Sequence, residues 1–350
     1  MTILVTGGAG FIGSNFILYM LRKYPDYRIV NLDKLTYAGN LENLKEVEAS
    51  SRYSFVQGDI CDNEVVAAAL RDHDVETVVN FAAESHVDRS IMGASEFVRT
   101  NVSGTVVLLE AAKQHRLRKY VQISTDEVYG SLGPTGKFTE TTQLHPNSPY
   151  AASKASADLL ALAYHHTFAL PVVVTRCSNN YGPYQFPEKL IPLMVINAMG
   201  NKPLPVYGDG RNVRDWIHVD DHCRAIRLVM ARGTNGAVYN ISADTERTNR
   251  QMCDAILSEL GKSWDLVRYV ADRPGHDRRY ALDSSRLRQE LGWKSSVELE
   301  TGLRTTIDWY RENRGWWERV KSGEYRTFYE RQYGTRLATA TKRKPEGRSS

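Results

Sequence analysis

Short runs of β-branched and other apolar residues alternate along the first half of the chain with longer segments whose apolar residues recur at helical spacing. The short runs predict strands at 3–6, 28–33, 53–60, 76–83, 119–125 and 170–176. The longer segments predict a helix that begins near residue 11 and helices at 63–73, 93–115 and 152–168. Strands that alternate with helices and are apolar at their centres are typical of a parallel sheet covered on both faces. The pattern therefore predicts an α/β fold with a doubly wound parallel sheet.

The texture of the sequence changes after about residue 180, where NNYGPYQFPEK is rich in Gly, Pro and aromatic residues. Such a composition favours a functional loop over core. Helical patches joined by polar loops follow, without a clear linker. We therefore predict a core at 1–180, to which later segments return, and a smaller C-terminal α/β region at 181–330. Residues 335–350, which include Lys342-Arg343-Lys344, are predicted to form a disordered basic tail.

A glycine-rich segment joins the first predicted strand to the first predicted helix. Gly8, Gly10 and Gly13 fit G-x-G-x-x-G, and Gly7, Gly10 and Gly13 also fit G-x-x-G-x-x-G. Glycines there permit a tight turn and let the backbone approach a pyrophosphate, which the N-terminus of the helix attracts. An acidic residue, Asp33, follows about twenty positions later, as in dinucleotide-binding folds. These features together predict a Rossmann-like dinucleotide-binding core.

Acidic residues at two strand ends bear on the kind of dinucleotide. Asp33 is expected to hold ribose hydroxyls and to repel a 2′-phosphate, which favours NAD over NADP. The adjacent Lys34 complicates this preference. Asp59, at the end of the third predicted strand, is placed to reach the adenine, and the alternative is that it caps a helix.

A candidate reaction centre follows the fifth predicted strand. Tyr150 and Lys154 are four residues apart at the start of a predicted helix, which places both on one face. The lysine can lower the pKa of the tyrosine, which can then take a hydroxyl proton while hydride leaves the same carbon. Thr125, Asp126 and Glu127 lie at the strand end, where ligands bind in open α/β sheets. Two adjacent carboxyls offer a potential acid and a potential base, whereas an alcohol dehydrogenase or epimerase needs only a hydroxyl there.

Composition and charge exclude several other classes of protein. The 350 residues are 42% hydrophobic and 25% charged, which is not a disordered composition. The net charge of +4, from 45 basic and 41 acidic residues, does not indicate a nucleic-acid-binding protein. The chain lacks the apolar run of about 20 residues that a membrane span needs, and its first residues lack a secretory signal. Four widely spaced cysteines without a CxxC pair disfavour disulfides and a metal site, and favour a cytoplasmic location.

Seven segments carry a resemblance to one enzyme family. They are VTGGAGFIGSN, NFAAESHVDRSI, STDEVYG, YAASKA, RCSNNYGPYQFPEKLIP, VRDWIHVDDH and DRPGHDRRYA. Over about residues 1–330 the chain resembles the dTDP-glucose 4,6-dehydratases, which belong to the extended short-chain dehydrogenases/reductases. STDEVYG and DRPGHDRRYA are the most specific of these motifs.

The resemblance implies an oxidation, an elimination and a reduction that together convert dTDP-glucose to dTDP-4-keto-6-deoxyglucose and water. Tyr150 would take the proton of the 4-hydroxyl, assisted by Thr125 and Lys154, while hydride passes from C4 to NAD⁺. Glu127 would remove the C5 proton, and Asp126 would protonate the departing C6 hydroxyl. Return of the hydride to C6 regenerates the NAD, which therefore stays tightly bound.

The resemblance also implies two sets of binding residues. The cofactor-binding set is Gly7, Gly10, Phe11, Ile12, Gly13, Asp33, Lys34, Thr36, Asp59, Ile60, Ala82, Ser85, Thr100, Tyr150, Lys154 and Asn180. The substrate-binding set, for which the 181–330 region is mainly responsible, is His86, Thr125, Asn179, Glu188, Lys189, Arg214, Asn249, Arg273 and His276. A homodimer is implied as well, because family members usually pair the helices predicted at 93–115 and 152–168 into a four-helix bundle.

Three alternatives stay open on the sequence. The substrate could be another nucleotide sugar, such as UDP- or CDP-glucose. A 4-epimerase would share Tyr150 and Lys154 but would need neither Asp126 nor Glu127. A non-catalytic NAD-binding scaffold would tend to have lost the tyrosine or the lysine, and both are present here.

Overall fold

The computed structural model describes residues 1–321 and 324–342. Its strands are β1 (Thr2–Thr6), β2 (Arg28–Asp33), β3 (Tyr53–Gln57), β4 (Thr77–Asn80), β5 (Lys119–Thr125), β6 (Val172–Cys177), β7 (Asn179–Tyr181), β8 (Leu204–Tyr207), β9 (Val213–His218), β10 (Val238–Ile241), β11 (Glu246–Thr248) and β12 (Val267–Val270). Its helices are α1 (Phe11–Lys23), α2 (Asn63–Asp72), α3 (Val87–Met92), α4 (Ser95–Phe97), α5 (Gly104–Gln114), α6 (Pro149–Phe168), α7 (Leu190–Met199), α8 (Val219–Arg232), α9 (Asn249–Leu260), α10 (Ser285–Leu291), α11 (Leu299–Glu312), α12 (Arg314–Val320) and α13 (Glu324–Ala338).

Seven parallel strands form the central sheet in the order β10-β6-β5-β4-β1-β2-β3. The chain proceeds outward from β1 through β2 and β3, and then in the other direction through β4, β5, β6 and β10. The strand order therefore reverses between β1 and β4, the place where open α/β sheets form a crevice. This topology confirms the predicted doubly wound α/β fold.

Apolar residues on alternate sides of the strands divide the core of the central sheet into two layers. In β1, Ile3 and Val5 pack into one apolar cluster, whereas Leu4 packs into another. The first cluster includes residues of α1, α8 and α10, and the second includes residues of α2, α5 and α6. Because side chains alternate across a strand, both faces of the sheet are buried, which explains its nearly continuous apolar strands.

The second half of the chain builds a smaller region with its own core. Strands β11, β9 and β7 form a three-stranded sheet, and β12 pairs with β8 in parallel. Helices α7, α9 and α11 pack around this region with a separate apolar cluster that includes Trp216, Ile256 and Tyr310. The chain also returns to the first region, since β10 completes the central sheet beside β6.

The helix predicted at 93–115 is interrupted in the structure. A π-helical stretch, Val98–Ser103, lies between α4 and α5. It turns Asn101 inward, where its side-chain oxygen accepts a hydrogen bond from the Glu84 backbone amide at 2.8 Å and its nitrogen donates to Ser153 Oγ at 2.8 Å. A π-helical stretch of this kind often accompanies a functional site, and here it fixes the loop that follows β4.

The disordered tail predicted at 335–350 is wrong for its first part. Helix α13 continues to Ala338, and Thr341 forms an antiparallel bridge with Tyr269 of β12. The two backbones exchange hydrogen bonds of 2.9 and 3.0 Å. The helix continues into the predicted tail because buried aromatic residues just before it anchor α13: Phe328 packs against His86, and Tyr333 packs against Tyr207. Residues 343–350 of the predicted tail lie outside the described residues.

Candidate active site

The turn between β1 and α1 requires glycine at two positions. Gly7 has a φ of +66°, and a Cβ there would lie 2.7 Å from the Cα of Ala82. A Cβ on Gly13 would clash with the carbonyl oxygen of Gly7. The N-cap of α1 is Gly10, which has no side chain that could occupy the first N–H groups of the helix. The first turn of α1 therefore keeps free backbone N–H groups, which suit a phosphate.

Charged residues at the ends of β2 and β3 form a second part of the site. The two carboxylate oxygens of Asp33 accept hydrogen bonds from the Ala9 and Leu35 backbone amides at 2.9 and 2.8 Å. Lys34 lies 3.0 Å from Asp59 Oδ2, and Arg99 lies 2.7 Å from the same oxygen. Asp59 is not the cap of α2, because Asp62 has that position.

The pKa of Asp59 reflects this pairing. Partial burial by itself would raise the pKa, but the Cys61 backbone amide and the two cations Lys34 and Arg99 outweigh it and lower the pKa to about 2. Asp59 is therefore an anion at neutral pH. Its negative charge balances that of Lys34, the residue that complicated the sequence-based choice between NAD and NADP.

The start of α6 positions Tyr150 and Lys154. The helix begins three residues earlier than predicted, because Ser148 Oγ caps it by accepting a hydrogen bond from the Ala151 amide at 3.1 Å, and Pro149 occupies the first turn. Tyr150 and Lys154 are buried, with 8% and 4% of their surface exposed. Lys154 Nζ donates a hydrogen bond to the carbonyl oxygen of Ile123 in β5 at 2.7 Å, so its charge is held at the strand end.

The expected lowering of the tyrosine pKa is not found in the isolated chain. Burial raises the pKa of Tyr150 well above its usual value, and the charge of Glu127 raises it further. Burial also lowers the pKa of Lys154. Desolvation is therefore the largest influence on the pKa of both groups.

Thr125 and Asp126 place polar groups at the end of β5, where they line the first cavity. The Thr125 hydroxyl accepts a hydrogen bond from the Glu127 amide at 3.3 Å and donates to Asp126 Oδ1 at 3.2 Å. The other carboxylate oxygen of Asp126 is buried, without a hydrogen-bond partner among the described residues. Burial raises the pKa of Asp126 well above its usual value, and Glu127 raises it further. Asp126 thus favours its protonated form.

Glu127 stands next to Asp126 in a different electrostatic environment. Burial also raises its pKa, but the cations Arg273, Lys189 and Arg214 oppose this effect. Two neighbouring carboxyls whose surroundings differ in this way can act as an acid and a base at the same pH.

The structure brings the predicted cofactor-binding set together around one cavity of about 310 Å³. Every member of that set lines the cavity, and so do Thr125, Asp126 and Glu127. The cavity therefore extends from the glycine-rich turn to the candidate reaction centre, and its shape agrees with a long ligand whose reactive end lies beside β5.

The predicted substrate-binding residues, apart from Thr125, line a second cavity. The two cavities share Glu127, Asn179, Glu188 and Lys189, so they are continuous. Several polar atoms in them are buried without a hydrogen-bond partner among the described residues: Ser124 Oγ, His86 Nδ1, Asn179 Oδ1, Asn249 Oδ1 and Arg273 Nε. Unpaired buried polar atoms are costly, so they indicate that a polar ligand completes the site.

Sequence reasoning missed two residues that support the site. His222 Nδ1 lies 2.8 Å from Asn180 Oδ1 and fixes that amide, and burial lowers the pKa of His222 to about 3, so the ring is neutral. Asp88 lies 3.3 Å from Arg273 and lines the second cavity. Both residues belong to quoted motifs, VRDWIHVDDH and NFAAESHVDRSI, but the motifs do not indicate which partner each one contacts.

The chain is 55% identical over 331 residues to the dTDP-glucose 4,6-dehydratase of Streptomyces niveus, a match that covers 93% of this chain and 98% of that protein. It is 48% identical over 359 residues to the dTDP-glucose 4,6-dehydratase of Escherichia coli, covering 95% and 99%. The profile of the family described as GDP-mannose 4,6 dehydratase matches residues 4–306. The chain belongs to the dTDP-glucose 4,6-dehydratase family. This membership confirms the resemblance carried by the sequence motifs.

Solved structures agree with this assignment. The dTDP-glucose 4,6-dehydratase of Streptomyces venezuelae, solved with NAD and TYD bound, has a TM-score of 0.90 and 55% identity, and the match covers 92% of this chain and all (100%) of that one. The UDP-glucose 4-epimerase of Thermotoga maritima, solved with UDP-glucose, has a TM-score of 0.83 and 31% identity, covering 89% and 99%. The epimerase therefore shares the fold, whereas the dTDP-glucose 4,6-dehydratase family shares much more of the sequence.

The raised pKa of Asp126 predicts how stability depends on pH. Since the folded chain keeps Asp126 protonated where the unfolded chain ionises it, this residue makes folding less favourable as the pH rises above the ordinary aspartate pKa. Asp126→Asn stays neutral at every pH and should melt a few degrees higher than the wild type at about pH 7.5. The difference should be much smaller near about pH 4, because the unfolded wild-type chain then also keeps much of its proton at this position as the pH falls through the ordinary aspartate pKa.

Thermal unfolding followed by circular dichroism at both pH values measures this effect. The control is Asp254→Asn, because Asp254 is an exposed residue of α9. A pH-independent difference between Asp126→Asn and the wild type would contradict the proposed protonation of Asp126.

Proposed function

We propose that this chain converts dTDP-glucose to dTDP-4-keto-6-deoxyglucose and water. The observation that carries the proposal is the pair of adjacent carboxyls, the buried Asp126 and the half-buried Glu127, in the same cavity as Tyr150 and Lys154. A 4-epimerase oxidises and reduces C4 without losing water, so it has no use for a second acid and base. The family relatives named dTDP-glucose 4,6-dehydratase support dTDP as the nucleotide.

The cofactor we propose is NAD. The glycine-rich turn and the first turn of α1 would hold its pyrophosphate, and Asp33 would hold the adenosine ribose. Lys34 and Arg99 are both paired with Asp59, which disfavours a 2′-phosphate at this place. When bound, NAD supplies an acceptor for the C4 hydride and a donor for its return to C6.

In the first step, Tyr150 takes the proton of the sugar 4-hydroxyl, and the Thr125 hydroxyl holds the same oxygen. Lys154, fixed by the Ile123 carbonyl, supplies a positive charge that opposes the effect of burial on the tyrosine. General acid–base assistance of this kind contributes roughly 10²–10⁴ in rate.

In the second step, Glu127 removes the C5 proton, which the neighbouring 4-ketone makes acidic. Asp126, which keeps its proton because it is buried, delivers it to the departing C6 hydroxyl, and water leaves. The cations that oppose the pKa rise of Glu127 keep this carboxyl available as the base. The adjacent positions in one 3₁₀ turn allow both groups to act on neighbouring carbons.

The nucleotide diphosphate occupies the second cavity. Burial lowers the pKa of Lys189 and of Arg214, and the positive charge of the nearby Arg273 lowers both further. Clustered cations attract an anion, and the planar arginine groups can bind a diphosphate bidentately. Residues of the 181–330 region supply most of this site, as Asn249 and His276 also line the cavity.

Isotope transfer tests the reaction directly. dTDP-glucose deuterated at C4 is incubated with the purified chain without added NAD, and the product is analysed by mass spectrometry and NMR. We expect loss of one water and deuterium at C6, because the hydride is removed and returned within one active site. Unchanged dTDP-glucose contradicts the proposed substrate, and turnover of UDP-glucose or CDP-glucose in its place would show a different nucleotide specificity.

Two matched amide variants separate the roles of the carboxyls. Glu127→Gln should lower turnover roughly 10²–10⁴-fold and block incorporation of solvent deuterium at C5, because the base is lost. Asp126→Asn should lower turnover to a similar extent but retain exchange at C5, because only the acid is lost. NMR of dTDP-glucose recovered from ²H₂O distinguishes the two. C5 exchange at the wild-type rate in Glu127→Gln would reject the role of Glu127.

We also propose a homodimer in which α5 and α6 pair with the same helices of a second copy as a four-helix bundle. Three apolar residues on or beside these helices support this interface, because Leu159, Val98 and Phe168 are 59%, 52% and 49% exposed. Apolar surface of this extent on one helix pair is typical of an interaction site.

Charge introduced at this face should separate the copies. Leu159→Glu is expected to be monomeric in size-exclusion chromatography with light scattering, because the dimer would bury the carboxylate. The matched control is Leu41→Glu, since Leu41 is an exposed leucine (39%) outside the two helices. A dimeric Leu159→Glu protein would contradict the proposed interface.

We propose a cytoplasmic location. The cysteines Cys61, Cys177, Cys223 and Cys253 are all unpaired thiols, as expected in a reducing compartment. Within 1–321 and 324–342, none of the helices combines the length and the apolar character of a membrane span.

A further inference from the structure

The C-terminal helix α13 borders the far end of the second cavity. The reaction-centre residues line the first cavity, and the shared residues Glu127 and Lys189 join it to the second. A substrate whose sugar lies at the reaction centre must therefore extend its nucleotide toward the opposite end. Tyr207 of β8 and Tyr333 of α13 line that end.

The side chain of Gln332 connects α13 to the cationic part of the site. Its Nε2 donates to Asp88 Oδ2 at 2.8 Å and to the Tyr207 hydroxyl at 2.7 Å. The Tyr207 hydroxyl donates to the same carboxylate oxygen at 3.0 Å. The other oxygen of Asp88 lies 3.3 Å from Arg273 Nη1. The Asp88 carboxylate is thus held through one oxygen by Gln332 of α13 and through the other by Arg273, which lines the second cavity.

Aromatic packing holds the same end of the cavity. The Tyr333 ring stacks on Tyr207 with centroids 6.1 Å apart and an angle of 28° between the planes. His276 meets the Tyr207 ring edge-on at 6.0 Å, and the Arg336 guanidinium lies 5.2 Å from its centroid. Phe328, one turn before Gln332, packs against the ring of His86 at 5.3 Å. Helix α13 therefore contacts three residues that line the second cavity, His86, Asp88 and Tyr207.

We propose that α13 is part of the substrate site, with Gln332 as a positioning residue for Arg273 and Tyr333 as the wall that limits the nucleoside. The proposal rests on the proposed function, because the ligand is taken to be its sugar nucleotide. Arg273 keeps a buried Nε without a partner among the described residues, so it can donate to a diphosphate while Asp88 holds its Nη1. Bidentate binding needs a fixed guanidinium plane, and Gln332 fixes the carboxylate that sets it.

The hydrogen bonds of Gln332 are tested by Gln332→Met, which keeps the length of the side chain and removes the donor. The control is Glu330→Ala, because Glu330 is an exposed residue of the same helix. We measure KM and kcat for dTDP-glucose, the Kd of dTDP by calorimetry, and the NAD content of the purified protein. Gln332→Met should raise KM and Kd about tenfold, since a hydrogen bond to a charged group contributes about this much. Its kcat and NAD content should stay within about twofold of the wild type.

The wall is tested by a conservative and a truncating change at Tyr333. Tyr333→Phe keeps the ring on Tyr207 and should bind dTDP within about twofold of the wild type, whereas Tyr333→Ala should weaken dTDP binding about tenfold. Both variants should keep their NAD, because Tyr333 lines the second cavity and not the first.

The outcomes separate this inference from the proposed function. A wild type that neither binds dTDP nor converts dTDP-glucose would contradict the proposed function and, with it, the ligand assigned to α13. An active wild type for which Gln332→Met and Tyr333→Ala match the Glu330→Ala control in KM and Kd would contradict the role of α13 alone. A loss confined to kcat, or loss of NAD together with a lowered Tm, would show a general structural role and would also contradict it.

Discussion

Parallel strands end at the same edge of a sheet, and the rest of the site depends on this constraint. The glycine-rich turn follows β1, Asp33 ends β2, Asp59 follows β3, and Thr125 ends β5. Residues that are more than one hundred positions apart in sequence, such as Gly7 and Thr125, therefore meet at this edge. The helices that connect the strands cover both faces, so within the central sheet the polar groups that reach a ligand lie at this edge.

Burial at that edge turns ordinary side chains into different acids and bases. Asp126 loses water and gains a neighbouring negative charge, so it keeps its proton. Glu127 loses water too, but three cations of the second region face it. The central sheet thus supplies the carboxyls, and the smaller region supplies the charges that distinguish them. Neither region alone would set the two pKa values apart.

The sequence predicted the parts of the molecule that depend on local patterns. The strands from β1 to β6 and the start of α1 follow from apolar runs and glycines, and they lie within a few residues of their predicted positions. The π-helical stretch between α4 and α5 was missed because its cause, the contacts of Asn101 with Glu84 and Ser153, joins distant segments. Gln332 was missed for the same reason, since Asp88 is 244 positions away. Motifs carried the candidate site residues, but only the tertiary structure gives their partners and their burial.

The position of β10 has a consequence for synthesis of the chain. This strand forms the edge of the central sheet beside β6, yet residues 178–237 must be made before it. During translation the backbone groups of β6 stay unpaired on that side while the intervening segment leaves the ribosome. An unpaired strand edge readily joins another chain. A nascent chain that stalls before residue 238 is therefore exposed to aggregation at this edge, and a fragment ending near residue 180 would keep the edge unpaired.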